Sequence, residues 1–302
     1  MRGIPSVLKI VRMKLLRYGP RQQEKPGLLD SEGAIRDLSA HIDDISPRTV
    51  TPQSLARLAA LNSKDLPLVS GTPRLGVPLK GIGKFIAIGL NYADHAKEAN
   101  MPIPAEPPMF TKAISCLNGP NDEVMLPKDS VKGDWEVELG VILGRTARYV
   151  SEEDALDLVA GYVLANDVSE RAFQLERGTQ WDKGKGCDTF GPIGPWLVTA
   201  DEVGDPQNLE MFLNLNGRRM QTGNTRRMIF PVRQLIAYVS RFMTLTAGDL
   251  LITGTPPGVG MGRKPNPIFL AAGDEMHLGI EKLGEQRQKV VAWRHLGDGG
   301  GH

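Results

Sequence analysis

Three acids stand at alternate positions in one octet: Asp134, Glu136 and Glu138 interleave with Trp135, Val137 and Leu139 between Gly133 and Gly140. An extended strand sends alternate side chains to opposite faces, so the acids share one face and the apolar residues take the other. Carboxylates two residues apart on a strand face converge on a point that can seat a hard cation such as Mg²⁺, Mn²⁺ or Ca²⁺, which prefers oxygen ligands. Taken alone, the octet reads more simply as a half-buried strand whose acidic face meets water. A further acid, Asp167, follows Asn166 where the apolar run 161–165 ends abruptly. An aspartate at the mouth of a buried strand is costly without a partner or a metal, which makes Asp167 a candidate third ligand. A satisfied turn aspartate fits that position as well.

His95 and Glu98 lie three apart in the polar run 91–100. On a helix they share a face, and a carboxylate beside an imidazole favours the polarised ring that a general base on water needs. An incidental surface ion pair has the same spacing. The run Gly254-Thr255-Pro256-Pro257-Gly258-Val259-Gly260 offers backbone amides and threonine hydroxyls suited to holding a carboxylate, or is a plain glycine-proline loop. The glycines around Lys183 and Lys185 do not make a phosphate loop, because neither glycine-rich pattern occurs in the strand-to-helix context it requires.

The elements that must position these groups are short. Residues 13–18 predict a strand that stops at Gly19-Pro20, and residues 28–30 and 34–38 extend it into a small antiparallel meander. Residues 51–61 predict a helix with Thr51 as N-cap and Pro52 at its first position. Proline and glycine punctuate 67–78, a plausible linker that puts a domain boundary near residue 75. Beyond it come a buried strand at 84–90, a helix at 91–100, and the irregular proline-rich stretch 102–108, a lid or a surface loop. Further on, 151–159 and 231–240 predict helices, and Asn216-Gly217 predicts a hairpin turn. The expected fold class is α+β and β-rich: a small N-terminal β-rich domain over 1–75, a catalytic domain over 76–295, and a flexible tail over 296–302.

Composition excludes several functions. Of 302 residues, 41% are hydrophobic and 24% charged, as in an ordinary globular protein. Thirty-six Lys and Arg against 35 Asp and Glu leave a net charge of +1, which offers no electrostatic case for nucleic acid or membrane binding. No apolar run approaches the ~18 residues of a membrane span. Cys116 and Cys187 sit in no paired or metal-ligand spacing, which reads as two free thiols in a reducing compartment, with the cytoplasm as default. Residues 1–12 lack the apolar core and cleavage site of a signal peptide; Met13 is a candidate start, which would make them an extension.

Taken in order, four motifs resemble the fumarylacetoacetate hydrolase family: Gly89-Leu90-Asn91-Tyr92-Ala93-Asp94-His95, Asp134-Trp135-Glu136-Val137-Glu138-Leu139, Asn166-Asp167-Val168-Ser169-Glu170-Arg171, and the run from Leu251 to Gly260. The resemblance covers roughly residues 80 to 292, and the joint order of the motifs is far more specific than any one alone. It implies a mixed β-roll catalytic domain that forms homodimers or higher homo-oligomers. It implies Glu136, Glu138 and Asp167 as ligands of Mg²⁺ or Mn²⁺, with His95 and Glu98 as the water-activating pair. Lys185, rather than Lys183, falls on the family's active-site lysine. Arg171, Gln174, Thr255 and Lys112 match substrate-contact positions. Asp134 is the odd acid out, because the family takes only two ligands from this strand, and is expected to stand behind the ligands or be exposed.

Charge then suggests the substrate. Three carboxylates around one divalent cation leave about −1, which Arg171, Lys185 and Lys112 would reverse, suiting a small anionic oxo acid. The resemblance implies hydrolysis of the C3–C4 bond of a 2,4-dioxo acid. Residues 13–30 look like bacterial members assigned to 2,4-diketo-3-deoxy-L-rhamnonate, which would give pyruvate and L-lactate. Ureidoglycolate lyase, acylpyruvase and oxaloacetate decarboxylase activities share the metal set and stand as alternatives, as does, more remotely, a non-catalytic metal-stabilised binding protein.

Overall fold

Continuous apolar runs in the middle of the chain, flanked by alternating ones, build two sheets around one buried core. The computed structural model describes residues 12–98 and 100–295. Most of the proposed extension over residues 1–12 and the tail over 296–302 lie outside the described residues.

The larger sheet has nine strands, in the spatial order Ile35–Asp37, Lys25–Leu29, Lys14–Tyr18, Leu197–Thr199, Val159–Asn166, Val137–Leu143, Leu250–Ile252, Phe85–Ile88 and Met109–Thr111. Its pairs are antiparallel except Leu250–Ile252 with Phe85–Ile88, which run parallel. Central strand Val137–Leu143 is buried at every residue, as expected of a strand covered on both faces. The smaller sheet orders Arg218–Asn224, Glu210–Leu215, Glu275–Ile280, Gly284–Val291 and Val124–Met125. Apolar residues of both sheets, among them Leu139 and Val141 from one and Leu213 and Leu278 from the other, belong to a single core. The architecture is α+β and β-rich, as expected.

Local signals set the smaller elements. Thr51 accepts the Ser54 amide at the start of helix Pro52–Ala59. Asn216 and Gly217, both at positive φ, turn Glu210–Leu215 into Arg218–Asn224. The meander Lys14–Tyr18, Lys25–Leu29 and Ile35–Asp37 joins the large sheet directly, through Lys14 opposite Val198. The boundary expected near residue 75 therefore falls in a connection between strands of one hydrogen-bonded sheet, with Leu75 itself bridged to Tyr18.

One expectation needs correction. The acid octet is not a single strand: Gly133–Asp134 pairs with Ser169–Glu170, whereas Val137–Leu143 pairs with Val159–Asn166 and Leu250–Ile252. The chain leaves one ladder for another at Trp135 and Glu136, so Asp134 is directed apart from the other two acids.

Candidate active site and metal centre

The antiparallel register of Val137–Leu143 with Val159–Asn166 sets Val137 opposite Asn166, and one residue beyond each lie Glu136 and Asp167. Two hydrogen bonds fix this junction: the Asp167 amide donates to the Glu136 carbonyl at 2.9 Å, and the Glu136 amide donates to Asn166 Oδ1 at 3.2 Å. Oxygens of Glu136, Glu138 and Asp167 come within 4.8 Å of one another, and all three residues are buried. The acidic face is therefore not solvated, contrary to the simpler reading of the octet. Glu138 also takes the Gly254 amide from the 253–262 loop.

Three cations surround these carboxylates. Lys185 Nζ donates to Glu136 Oε2 at 2.8 Å and to Asp167 Oδ2 at 2.6 Å. Lys112 Nζ donates to Asp167 Oδ1 at 2.5 Å and to the Val168 carbonyl at 3.3 Å. Arg171 Nη2 donates to Glu136 Oε1 at 2.7 Å, its Nε to Asp134 Oδ2 at 2.8 Å, and its Nη1 to Gln174 Oε1 at 3.0 Å. Burial alone would push the Glu136 carboxyl up, but the charges of Lys185, Arg171 and His95 outweigh it and hold that carboxyl far below its usual range. Lys183, by contrast, points outward and donates to the Arg177 carbonyl.

Glu138 has the opposite balance. Burial, and then the negative charges of Asp167 and Glu136, push its carboxyl well above the usual range, against weaker help from Lys185 and the Gly254 amide at 2.7 Å. A buried carboxyl beside two others, short of positive charge, fits a divalent cation as its missing partner. The donor set is all oxygen, as Mg²⁺ or Mn²⁺ requires.

The glycine-proline loop does hold carboxylates, and all of them belong to the chain. Gly254 N reaches Glu138, Gly258 N reaches both oxygens of Glu98 at 3.0 Å, and Gly260 N reaches Asp134 Oδ1 at 2.6 Å. Glycine is required twice here. Gly254 (φ +90) and Gly258 (φ +110) occupy the left-handed region, and a Cβ on Gly258 would stand 2.0 Å from the Met220 carbonyl oxygen. Thr255 spends its hydroxyl on the Val137 carbonyl (2.9 Å) while accepting from Gln221 Nε2 (2.8 Å). Gln221 also accepts the Val137 amide between the two glutamates.

Helix Ala93–Glu98 brings the imidazole in. It starts after Leu90, a non-glycine residue at φ 50, a sparsely populated conformation that clusters at functional sites. Asn91, fully buried, pins this start by donating to the Phe230 and Thr253 carbonyls and accepting the Phe230 amide. His95 Nδ1 then meets Glu98 Oε2 at 3.2 Å, with His95 buried. That pair is not an incidental surface contact.

A cavity of about 220 Å³ gathers His95, Glu136, Glu138, Arg171, Gln174, Lys185 and Thr255 on its wall. Lys112 is not on that wall. It lies beside Asp167 with its ammonium near the Phe85 ring, so this geometry gives it the carboxylate rather than a ligand. Sequence reasoning missed Asn91, Gln221 and the apolar wall residues Phe110, Leu175, Trp181 and Met261. Nothing local marks Gln221, whereas Asn91 carried a signal as a polar residue closing an apolar strand. Asp134 proves wholly buried, and it neutralises Arg171.

Among the described residues no helix is long and apolar enough to cross a membrane. The family model for the fumarylacetoacetate (FAA) hydrolase C-terminal domain matches residues 84–291. A 2,4-didehydro-3-deoxy-L-rhamnonate hydrolase from a Sphingomonas species is 65% identical over 286 residues, covering 95% of this chain and 99% of that protein. Among solved structures, a fumarylacetoacetate hydrolase from Exiguobacterium antarcticum superposes with a TM-score of 0.83 at 34% identity, over 93% of this chain and 100% of that one. A maleylpyruvate hydrolase from a Sphingobium species gives 0.77 at 31% identity, over 93% and 100%. This chain therefore belongs to the fumarylacetoacetate hydrolase family and is an enzyme of the hydrolase class.

Proposed function

We propose that the enzyme hydrolyses the C3–C4 bond of a 2,4-dioxo acid, with 2,4-didehydro-3-deoxy-L-rhamnonate (the 2,4-diketo acid) as substrate and pyruvate and L-lactate as products. The observation that carries this reading is the convergence of His95, paired with Glu98, and of Lys185, Glu136 and Glu138 on one cavity, with an Asp167 oxygen within 4.8 Å of both glutamates. The 65% identical relative of that name supports the choice of acid.

Glu136, Glu138 and Asp167 would hold a Mg²⁺ or Mn²⁺ ion, which when bound supplies Lewis-acid polarisation of the substrate's carboxylate and 2-keto oxygens. Asp134, Glu136 and Asp167 balance Lys112, Lys185 and Arg171, and a divalent ion with Glu138 ionised beside it would bring the site to +1, poised for an anion. Glu98 meets His95 at Nδ1, which leaves Nε2 to take a proton from water. The hydroxide adds to C4, the C3–C4 bond breaks, and its electron pair leaves with C3 as the pyruvate enolate. Lys185 lies on the cavity wall to balance that charge, and a proton on C3 completes pyruvate. Arg171, steadied by Asp134 and Glu136, and Gln174 orient the acid end. Homodimer formation and a cytoplasmic location belong to the same reading, the latter supported by two free cysteines.

The test is incubation of Mg²⁺- or Mn²⁺-loaded protein with a panel of 2,4-dioxo acids, oxaloacetate and ureidoglycolate. Equimolar pyruvate and L-lactate from the rhamnonate-derived acid are expected. Glyoxylate from ureidoglycolate without pyruvate from any dioxo acid would replace this reading with the lyase.

A further inference from the structure

Strand Gly284–Val291 alternates exposed and buried residues, and its buried face carries Gln286 and Gln288 ahead of Val290. Both glutamines are wholly withdrawn from water, where an apolar residue is the ordinary choice. A side-chain amide has a nitrogen with two hydrogens to donate and an oxygen that only accepts, so its partners fix which way it faces. Gln286 Nε2 donates to the Leu164 and Gly194 carbonyls at 2.9 and 2.8 Å. Its oxygen is thereby turned to Gln288, whose Nε2 donates to it at 2.9 Å and to the Pro120 carbonyl at 2.6 Å. Gln288 Oε1 is left to accept Asn166 Nδ2 at 3.1 Å, across 122 residues of sequence. Asn166 Oδ1 then faces the Glu136 amide at 3.2 Å. The series begins on backbone carbonyls and ends on the backbone of a proposed metal ligand, each bond setting the direction of the next.

The last bond matters because no strand pairs with Glu136, which falls between the ladder of Gly133–Asp134 and that of Val137–Leu143. Its carbonyl takes the Asp167 amide, while its own amide relies on the Asn166 side chain. Turned over, Asn166 would present its own NH₂ group to that amide and leave a buried donor unpaired. Besides Gln288, Asn166 Nδ2 has Met276 Sδ within reach at 3.5 Å, and a thioether is a weak acceptor. Gln288 is therefore what holds Asn166 the useful way round.

We infer that Gln288, on the smaller sheet and outside the cavity wall, is a positioning residue for the metal centre: through Asn166 it holds the backbone from which Glu136 and Asp167 project. The inference rests on the proposed reading only for the metal at Glu136, Glu138 and Asp167. Partners standing behind metal ligands are typically worth roughly 10- to 100-fold in metal affinity or activity, and Gln288, one bond further out, belongs at the lower end.

The experiment measures the Mn²⁺ dissociation constant of the chelator-stripped full chain, without substrate, from the electron paramagnetic resonance of the free ion, alongside the metal-free melting temperature. Gln288→Leu is expected to weaken Mn²⁺ binding by about 10-fold. Gln288→Met, which matches glutamine in length, should weaken it as well and serves if the leucine variant does not fold. Gln286→Leu is the comparison. Each glutamine takes part in three of these hydrogen bonds, so both leucine variants should lose similar melting temperature. Gln286→Leu should nevertheless lose much less Mn²⁺ affinity, because the bond from Asn166 to Gln288 survives. Native affinity in folded Gln288→Leu and Gln288→Met would overturn the role, as would equal losses in the Gln286 and Gln288 variants, the mark of a purely structural contribution. If the native chain takes up no Mn²⁺, the metal reading falls and the positioning role with it. If it takes up Mn²⁺ but cleaves no dioxo acid, the hydrolytic reading alone falls, and the expected order of affinities still upholds Gln288.

Discussion

The Glu98 carboxylate accepts the Gly258 amide on both oxygens while meeting His95 Nδ1 at 3.2 Å. The same loop holds Glu138 through Gly254 and Asp134 through Gly260. The partner of the proposed general base, a proposed metal ligand and the counter-ion of Arg171 are therefore referenced to one short stretch of backbone, although they arise from separate elements. Such shared anchoring fixes relative positions, and misplacing a base by about 1 Å can cost on the order of 10²-fold in rate.

His95→Ala is expected to lower kcat by about 10²–10⁴-fold, the range for one positioned base, with the circular dichroism spectrum unchanged. Glu98→Ala should lose less, up to about 10²-fold, since the imidazole remains but its aim is released. Native turnover in His95→Ala would remove the histidine from the chemistry.

Asp134 touches no cavity surface, yet Arg171 depends on it. Asp134→Ala would leave a buried guanidinium with one carboxylate instead of two, along with the Gly260 and Met261 amides it now receives. Breaking a buried pair in this way costs about 3–5 kcal/mol, to be read from denaturant midpoints. A loss below ~1 kcal/mol would show that Arg171 does not rely on Asp134.

Metal removal and Glu138 substitution should both cost turnover, and the substitution should in addition raise the stability of the metal-free protein. Chelator-treated protein is expected to lose turnover and to regain it with Mg²⁺ or Mn²⁺. Glu138→Gln relieves the crowding with Glu136 and Asp167, so the metal-free variant should be more stable than metal-free native protein by about 0.5–2 kcal/mol while turnover collapses. Calorimetric melting and metal titration read the two effects, and full activity in stripped native protein would dismiss the metal.

Away from the cavity, Asp122 predicts an acid-dependent stability. Burial pushes its carboxyl up, but the hydrogen bond and charge of Arg74, helped by Arg21, outweigh this and lower it from 3.8. A depressed acid contributes stability that is complete above its unfolded value and is lost as pH falls through the folded one. The melting temperature should therefore drop below about pH 4, with a shallower drop in Asp122→Asn. Identical acid profiles for the two proteins would exclude the Arg74–Asp122 pair as a source.

Much of the molecule was legible because its signals are local. Thr51-Pro52 announces a helix start, Asn216-Gly217 a hairpin, and the all-apolar run after Glu138 a strand covered on both faces. The ordered motifs around His95, Glu136, Asp167 and Gly254 carried the family, and they nominated the residues that the fold brings to one site. Only tertiary structure decided what depends on partners far along the chain. The break at Trp135–Glu136, which turns Asp134 toward Arg171 while Glu136 and Glu138 meet Asp167, comes from a change of neighbouring strand. Likewise Lys112 is drawn to Asp167, Gln221 reaches across 84 residues to Val137, and Leu175 and Met261 come to share a wall. Periodicity fixes which face of an element a side chain takes, but the identity of what lies opposite is set by how the sheets pack, and no short window of sequence contains both sides of that contact.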